Sequence, residues 1–146
     1  MRNIHLNRPA KVKYMGAKEK NLTPDKIYDA FFVEYWQGTR NSLHIRDDSG
    51  QITDFHPREE FEIIEDPDDV LTLKEAIVEC ITNRFDGELF GIRQGKQYKA
   101  IGRDRNGMFL VMDESLDCYF YPPDFFVIVE DEHGILERES IYYSYR

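Results

Sequence analysis

Cysteine is scarce in this chain. Cys80 and Cys118 are the only two, too few for a disulfide scaffold, so the expected compartment is a reducing cytoplasm with both thiols reduced. No apolar run approaches the roughly 18 residues that a membrane-crossing helix needs. The opening Met1-Arg-Asn-Ile-His-Leu-Asn-Arg-Pro lacks the apolar stretch of a secretory leader. Positive charge is in deficit: 19 basic against 28 acidic side chains leave a net charge of −9. Such a surface repels phosphate, which argues against general nucleic-acid binding. What is present is apolar and aromatic. These classes make up 41% and 14% of 146 residues, enough for a packed core in one medium domain or two very small ones.

The charge is unevenly spread. Residues 1–66 hold 10 basic and 12 acidic side chains, and residues 67–146 hold 9 and 16. In the first twenty residues Arg2, Arg8, Lys11, Lys13, Lys18 and Lys20 meet only Glu19. Residues 59–69 carry seven carboxylates and no base, a run that reads as a solvated face or linker.

Internal similarity organises the chain. Lys26-Ile-Tyr28-Asp-Ala30 returns as Lys96-Gln-Tyr98-Lys-Ala100, 70 residues later. Phe55, Pro57, Phe61, Ile63, Glu65 and Asp66 return as Phe120, Pro122, Phe126, Ile128, Glu130 and Asp131, 65 residues later. Upstream, Val12-Lys-Tyr14 matches Val78-Glu-Cys80. The fall in offset implies five extra residues in the first copy, placed between Ala30 and Leu43 around Tyr35-Trp36-Gln37-Gly38. The repeat also decides a local ambiguity. Thr72-Leu-Lys-Glu75 has the form of a helix capping box, with Leu73, Ile77 and Ile81 as an apolar stripe. Yet Ala76–Ile81 aligns with Ala10–Met15, whose alternation is that of a strand. Residues 76–82 are therefore expected to be extended, with at most a short helical turn near Val70–Lys74.

Each copy reads as five short strands, near 11–15, 26–35, 42–47, 52–56 and 61–65, then 76–82, 96–103, 107–112, 118–121 and 125–130. Asp47-Asp-Ser-Gly50 is a tight hairpin turn with Gly50 suited to positive φ. Pro57 and Pro122-Pro123 cannot donate to a ladder and mark a turn before the last strand. Thr23-Pro-Asp25 and Arg93-Gln-Gly95 turn the chain before the second strand. The expected fold is all-β: residues 1–66 form a first small barrel and 67–75 an acidic linker. Residues 76–146 then form a second barrel, with a C-terminal extension rich in Tyr142, Tyr143 and Tyr145 that supplies an additional edge strand.

This pattern resembles the SH3-like small barrels, and more narrowly the tandem barrel proteins of Gram-positive bacteria and their phages. The residues that carry the resemblance are Val12/Tyr14 and Val78/Cys80, Asp25-Lys26-Ile27-Tyr28 and Gly95-Lys96-Gln97-Tyr98, the Asp47–Gly50 hairpin, and the closings His56-Pro57 to Glu65 and Tyr121-Pro122 to Glu130. The resemblance implies a fold and carries no assigned chemistry. Peptide-binding SH3 domains place a tryptophan at the start of the third strand; here Leu43 and Met108 lie near that place, so polyproline recognition is not expected.

No chemistry emerges from the titratable residues. His5, His44, His56 and His133 share no metal-ligand spacing. His44 and His56 approach each other on adjacent strands, but their counterparts Phe109 and Tyr121 are packing residues, so both histidines read as structural. Cys80 and Cys118, opposite Tyr14 and Thr53 in the repeat, read as small core fillers. Gly-x-Ser-x-Gly and phosphate-loop motifs are absent, and Gly87-Glu-Leu-Phe-Gly91 reads as a plain loop. Glu59-Glu60 and Asp68-Asp69 lie in segments too open to shift their pKa values. The expectation is no enzyme, no metal and no cofactor.

What remains is a binding surface. Tyr35, Trp36 and Arg40 in the longer hairpin offer aromatic and guanidinium anchors of the kind enriched in interface hot spots, with burial of Trp36 over the core as the competing reading. Arg103, Arg105, Tyr119 and Tyr121 are the second copy's candidates, with ordinary cross-strand packing as the stronger competing reading. The expected function is a non-enzymatic protein-interaction module for a basic partner protein, of which an immunity-type or phage-encoded inhibitor is one form. The alternative is nucleic-acid binding through Arg8, Lys11, Lys13, Lys18 and Lys20 with aromatic stacking. A third class, a small-ligand or hydrolytic site between the barrels, requires a deep cleft.

Overall fold

A computed structural model describes residues 8–36 and 40–139, with Tyr35, Trp36 and Arg40 described in their backbone only. Trp36 as core or contact residue, and the tyrosines of the extension, therefore lie outside the described side chains. The described residues are all-β, with ten strands in two five-stranded antiparallel sheets. The first contains β1 (Ala10–Tyr14), β2 (Ile27–Trp36), β3 (Arg40–Arg46), β4 (Ile52–Pro57) and β5 (Phe61–Glu65), in the order β4-β3-β2-β1-β5. The second contains β6 (Ala76–Cys80), β7 (Gln97–Arg103), β8 (Phe109–Met112), β9 (Cys118–Tyr121) and β10 (Phe126–Glu130), in the equivalent order β10-β6-β7-β8-β9. No helix among the described residues is long and apolar enough to cross a membrane.

Alternation explains both cores. β1 and β6 share one burial pattern, with Ala10, Val12 and Tyr14 inward in one and Ala76, Val78 and Cys80 inward in the other. The first core adds Leu22, Tyr28, Ala30, Val33, Leu43, Ile45 and Phe61; the second adds Ile92, Tyr98, Ala100, Phe109, Val111, Tyr121 and Phe126. Pro57 and Pro122 each lead into a single 3-10 turn before the last strand, because a residue without an N–H ends the ladder there.

Strand registers locate the extra residues. Val12 pairs with Tyr28, and Val78 with Tyr98, so the repeat offset is 66 at the first strand and 70 at the second. Ile45 pairs with Thr53 and Val111 with Tyr119, which returns the offset to 66. Leu43 then pairs with His56, and Phe109 with Tyr121, which leaves 65 on the last part of the repeat. The second unit is thus four residues longer before its second strand. The first is four longer in the β2–β3 hairpin and one longer in β4. That last residue is a bulge, with Phe55 at φ 64° and 62% exposed. The five extra residues expected in the hairpin are therefore four there and one in β4. It follows that His44 corresponds to Leu110 rather than Phe109, and Thr53 to Tyr119 rather than Cys118.

Most of the segment read as an acidic linker, residues 67–73, belongs to the first unit. Val70 and Leu71 are buried in its core, and the chain divides between Leu73 and Lys74. The cause is Asp66, whose carboxylate accepts the backbone N–H groups of Val70 and Leu71 at 2.8 and 3.0 Å. Asp131 does the same for Ile135 and Leu136 at 2.9 and 3.0 Å. Asp69 and Gly134, equivalent positions, both take positive φ. Acidic side chains face water while two apolar ones turn inward. Residues 134–139 accordingly form a turn against the second core, not an edge strand, and no helical turn forms near Val70–Lys74.

Candidate partner-binding surface

A second shared device fixes the hairpin between the third and fourth strands. In the first unit Asp48 accepts hydrogen bonds from Lys26 Nζ at 2.5 Å, Thr23 Oγ1 at 2.9 Å and the Tyr28 hydroxyl at 3.0 Å. In the second, Glu114 accepts from Lys96 Nζ at 3.2 Å and bonds the Tyr98 hydroxyl, which accepts the N–H of Arg93 at 2.8 Å. The Lys26 hydrogen bond holds Asp48 below its ordinary pKa, and the Tyr98 hydrogen bond does so for Glu114. Burial, with the Glu114 carboxylate, pushes Tyr98 up to about 12. The repeated Lys-x-Tyr motif is therefore a clamp on the fold.

Behind the same hairpins lie Asp47 and Asp113. Each accepts the N–H of the serine two residues on, Ser49 at 2.9 Å and Ser115 at 2.8 Å. In the second unit the Tyr121 hydroxyl closes the arrangement by donating to Asp113 at 2.5 Å. Tyr121 is buried, with Phe85 and Phe126 packed edge-on against its ring. It is a core residue and not a surface contact, because its hydroxyl is the partner of a buried carboxylate. In the first unit two residues share that task. Thr53 donates to Asp47 at 3.1 Å, and His56 Nε2 lies 2.8 Å from Thr53 Oγ1. A hydroxyl has one proton to give, so the His56 ring donates to Thr53. Burial lowers the His56 pKa, in keeping with a neutral ring. The two histidines thus serve separate groups: His44 Nε2 lies 2.7 Å from Glu34 Oε1.

The basic residues of the nucleic-acid alternative are partly engaged. Arg8 makes a two-pronged contact with Asp68 at 2.8 and 3.2 Å, Lys11 pairs with Asp29, and Lys18 donates to the Glu19 carbonyl oxygen at 2.7 Å. Lys13 is half-buried and Lys20 exposed. Among the other candidates, Tyr119 is 52% exposed on β9, the edge strand, and Arg105 is exposed on the β7–β8 turn. Arg103 donates to the Glu137 carbonyl oxygen at 3.0 Å. The backbones of Tyr35, Trp36 and Arg40 lie at the far end of the β2–β3 ladder. Cys80 is buried on β6 while Cys118 begins β9; two strands separate them in the sheet, and they form no disulfide. Burial pushes the Cys80 thiol up, which makes it a poor nucleophile.

The most exposed large apolar side chain among the described residues, Leu89, lies in the segment that read as a plain loop, next to Phe90. Leu89 is 79% and Phe90 58% exposed, at the tip of the longer connection between β6 and β7. The base of this connection is fixed. Phe85 packs on the second core, the Gly91 carbonyl oxygen accepts the N–H of Glu114 at 2.9 Å, and the Arg93 guanidinium donates to the Glu88 carbonyl oxygen at 2.8 Å. Gly91 sits at φ 114°, a conformation that favours glycine. Asp86 and Glu88, both exposed, precede the apolar pair. A second exposed apolar set lies on β10, where only Phe126 is buried and Val127, Ile128 and Val129 are about half exposed before Glu130 and Asp131. β10 is an edge strand of its sheet, and exposed apolar edges invite pairing. In comparisons with known protein families, characterised proteins and solved structures, the chain matches none.

Proposed function

We propose that the chain is a non-enzymatic protein-interaction module, built as two SH3-like small barrels, that binds a basic partner protein through its second unit. The Leu89–Phe90 tip carries this reading. Two large apolar side chains held in water by a pinned loop cost solvation free energy in the isolated protein, of order 1.5–3 kcal/mol per side chain relative to burial. Large side chains that become fully desolvated at the centre of a contact carry most binding energy, and phenylalanine is enriched in such interface cores. Asp86 and Glu88 beside the tip, within a chain of net charge −9, favour a positively charged partner and fast, salt-sensitive association. An immunity-type or phage-encoded inhibitor is one biological form such a binder takes.

The test uses the full chain, immobilised, with lysate of a Gram-positive bacterium passed over it at low and high salt. The wild type is expected to retain a basic protein at low salt and release it at high salt. A Leu89→Ser/Phe90→Ser variant is expected to lose it while its thermal unfolding stays unchanged. Failure to retain any basic protein at low salt, or equal retention by the variant, overturns the reading. A gel shift with single-stranded DNA or RNA at micromolar protein would transfer it to nucleic acid.

A further inference from the structure

We propose that Glu34, His44 and Asp54 form a binding site for one divalent transition-metal ion in the first unit. The three residues come from three adjacent strands, β2, β3 and β4, and each offers one ligand atom within 4.8 Å of the others. His44 is fully buried, with the Phe32 ring edge-on at 5.3 Å. Glu34 and Asp54 are half-buried. The Ser42 hydroxyl accepts the N–H of Phe55 at 3.1 Å, which holds the bulge of β4 against β3 beside Asp54.

A neutral structural role accounts for only part of this cluster. Glu34 and His44 alone make a hydrogen-bonded pair through Nε2, at 2.7 Å. The second carboxylate is what the pair does not need. Two carboxylate oxygens and one imidazole nitrogen converging in a half-buried place make a donor set that a cation can bridge. A divalent ion bound at ~2.1 Å brings neighbouring ligand atoms to about 3 Å, so ligand atoms that now lie within 4.8 Å of one another would draw in around it. One imidazole nitrogen with two carboxylate oxygens suits zinc, manganese or iron(II) better than calcium or magnesium, which take oxygen alone. Three protein ligands leave coordination positions for water.

The repeat strengthens the assignment. His44 corresponds to Leu110 in the second unit. Glu34 corresponds to Asp104, whose carboxylate is occupied by the N–H groups of Asn106 and Met108 at 2.9 and 3.0 Å. Asp54 lies in the β4 bulge that β9 lacks. The ladder forms in the second unit without these groups, so neither the histidine nor the added residue is a requirement of the fold.

The experiment is isothermal titration of the full chain with zinc, and separately with manganese, after exhaustive chelation. Cobalt is added in parallel to read its visible absorption. The expected result is one ion per chain in wild type, with affinity weakened at least about tenfold in Asp54→Asn and in Glu34→Gln. A cobalt spectrum showing nitrogen–oxygen coordination should be lost in both. Both variants keep side-chain shape, and their far-ultraviolet circular dichroism checks that the fold persists. Absence of saturable binding at about millimolar ion, or binding that survives both substitutions unchanged, overturns the proposal.

Discussion

Between its first and second strands the first unit carries the charged stretch Lys18-Glu19-Lys20, and the second carries Glu88-Leu89-Phe90 at the tip of a longer connection. The chain rejoins at the same point in both, since Leu22 and Ile92 are each buried 70 residues apart. The first unit is elaborated elsewhere, in the β2–β3 hairpin and at the Phe55 bulge. Two copies of one ladder have thus been extended at different places, one towards an apolar tip and the other towards the Glu34–His44–Asp54 cluster. The shared clamps, Asp48/Glu114 and Asp66/Asp131, hold the ladder and leave these additions to vary.

The comparison can be broken first in the cores. Ile45 and Val111 are equivalent and fully buried. Ile45→Ala should cost about 2–5 kcal/mol, and Val111→Ala less, since it removes fewer methyl groups. Hydrogen exchange should show lost protection in β1–β5 for the first variant and in β6–β10 for the second. Equal loss in all ten strands from either variant would mean that the two halves do not hold separate cores.

Asp66→Ala and Asp131→Ala test the paired closing turns. Each strands two backbone N–H groups, so each should cost about 1–3 kcal/mol in urea unfolding, with similar values. A negligible cost for Asp66→Ala would return residues 67–73 to a solvated linker. The hairpin glycine comes next. Gly50 and Leu116 occupy the same left-handed position, at φ 85° and 68°. Leu116→Gly should stabilise, and Gly50→Leu destabilise, each by about 1 kcal/mol; melting temperatures moving the other way would refute the equivalence.

The smallest effect is acid sensitivity. Asp48 and Glu114 have folded pKa values below their unfolded ones, so their stabilisation is complete above about pH 5 and is lost as pH falls through the folded values. Asp48→Asn and Glu114→Gln should each flatten the fall in urea midpoint between pH 6 and pH 3. An unchanged slope in both would remove the clamp from the account of stability.

Much of the ladder was legible in the sequence. All ten strands fall within two residues of their expected positions, and the repeat overrode a convincing helical pattern at Thr72–Asn83. That override worked because β-branched alternation in one copy constrains the other. Composition misled at residues 67–73, where Asp68, Asp69 and Thr72, behind the acidic run from Glu59, conceal Val70 and Leu71; the signal available was the recurrence of Asp66 and Asp131 ahead of an apolar pair. Tyr121 carried both a packing and a contact reading in the sequence, and what decides between them, its hydroxyl contact to Asp113, has no signature in the chain. Leu89 and Phe90 lie in a segment that reads as a plain loop, and nothing in the linear pattern marks their side chains as exposed. The cluster of Glu34, His44 and Asp54 depends on register across three strands, including a one-residue bulge, and no spacing rule encodes that.

The duplicated ladder is tested most directly by cross-strand nuclear Overhauser contacts in the labelled full chain. Backbone contacts are expected between Val12 and Tyr28 and between Val78 and Tyr98, with Leu43 facing His56 and Phe109 facing Tyr121. Helical contacts through Ala76–Asn83, or a β4 pairing without the irregularity at Phe55, would contradict the account.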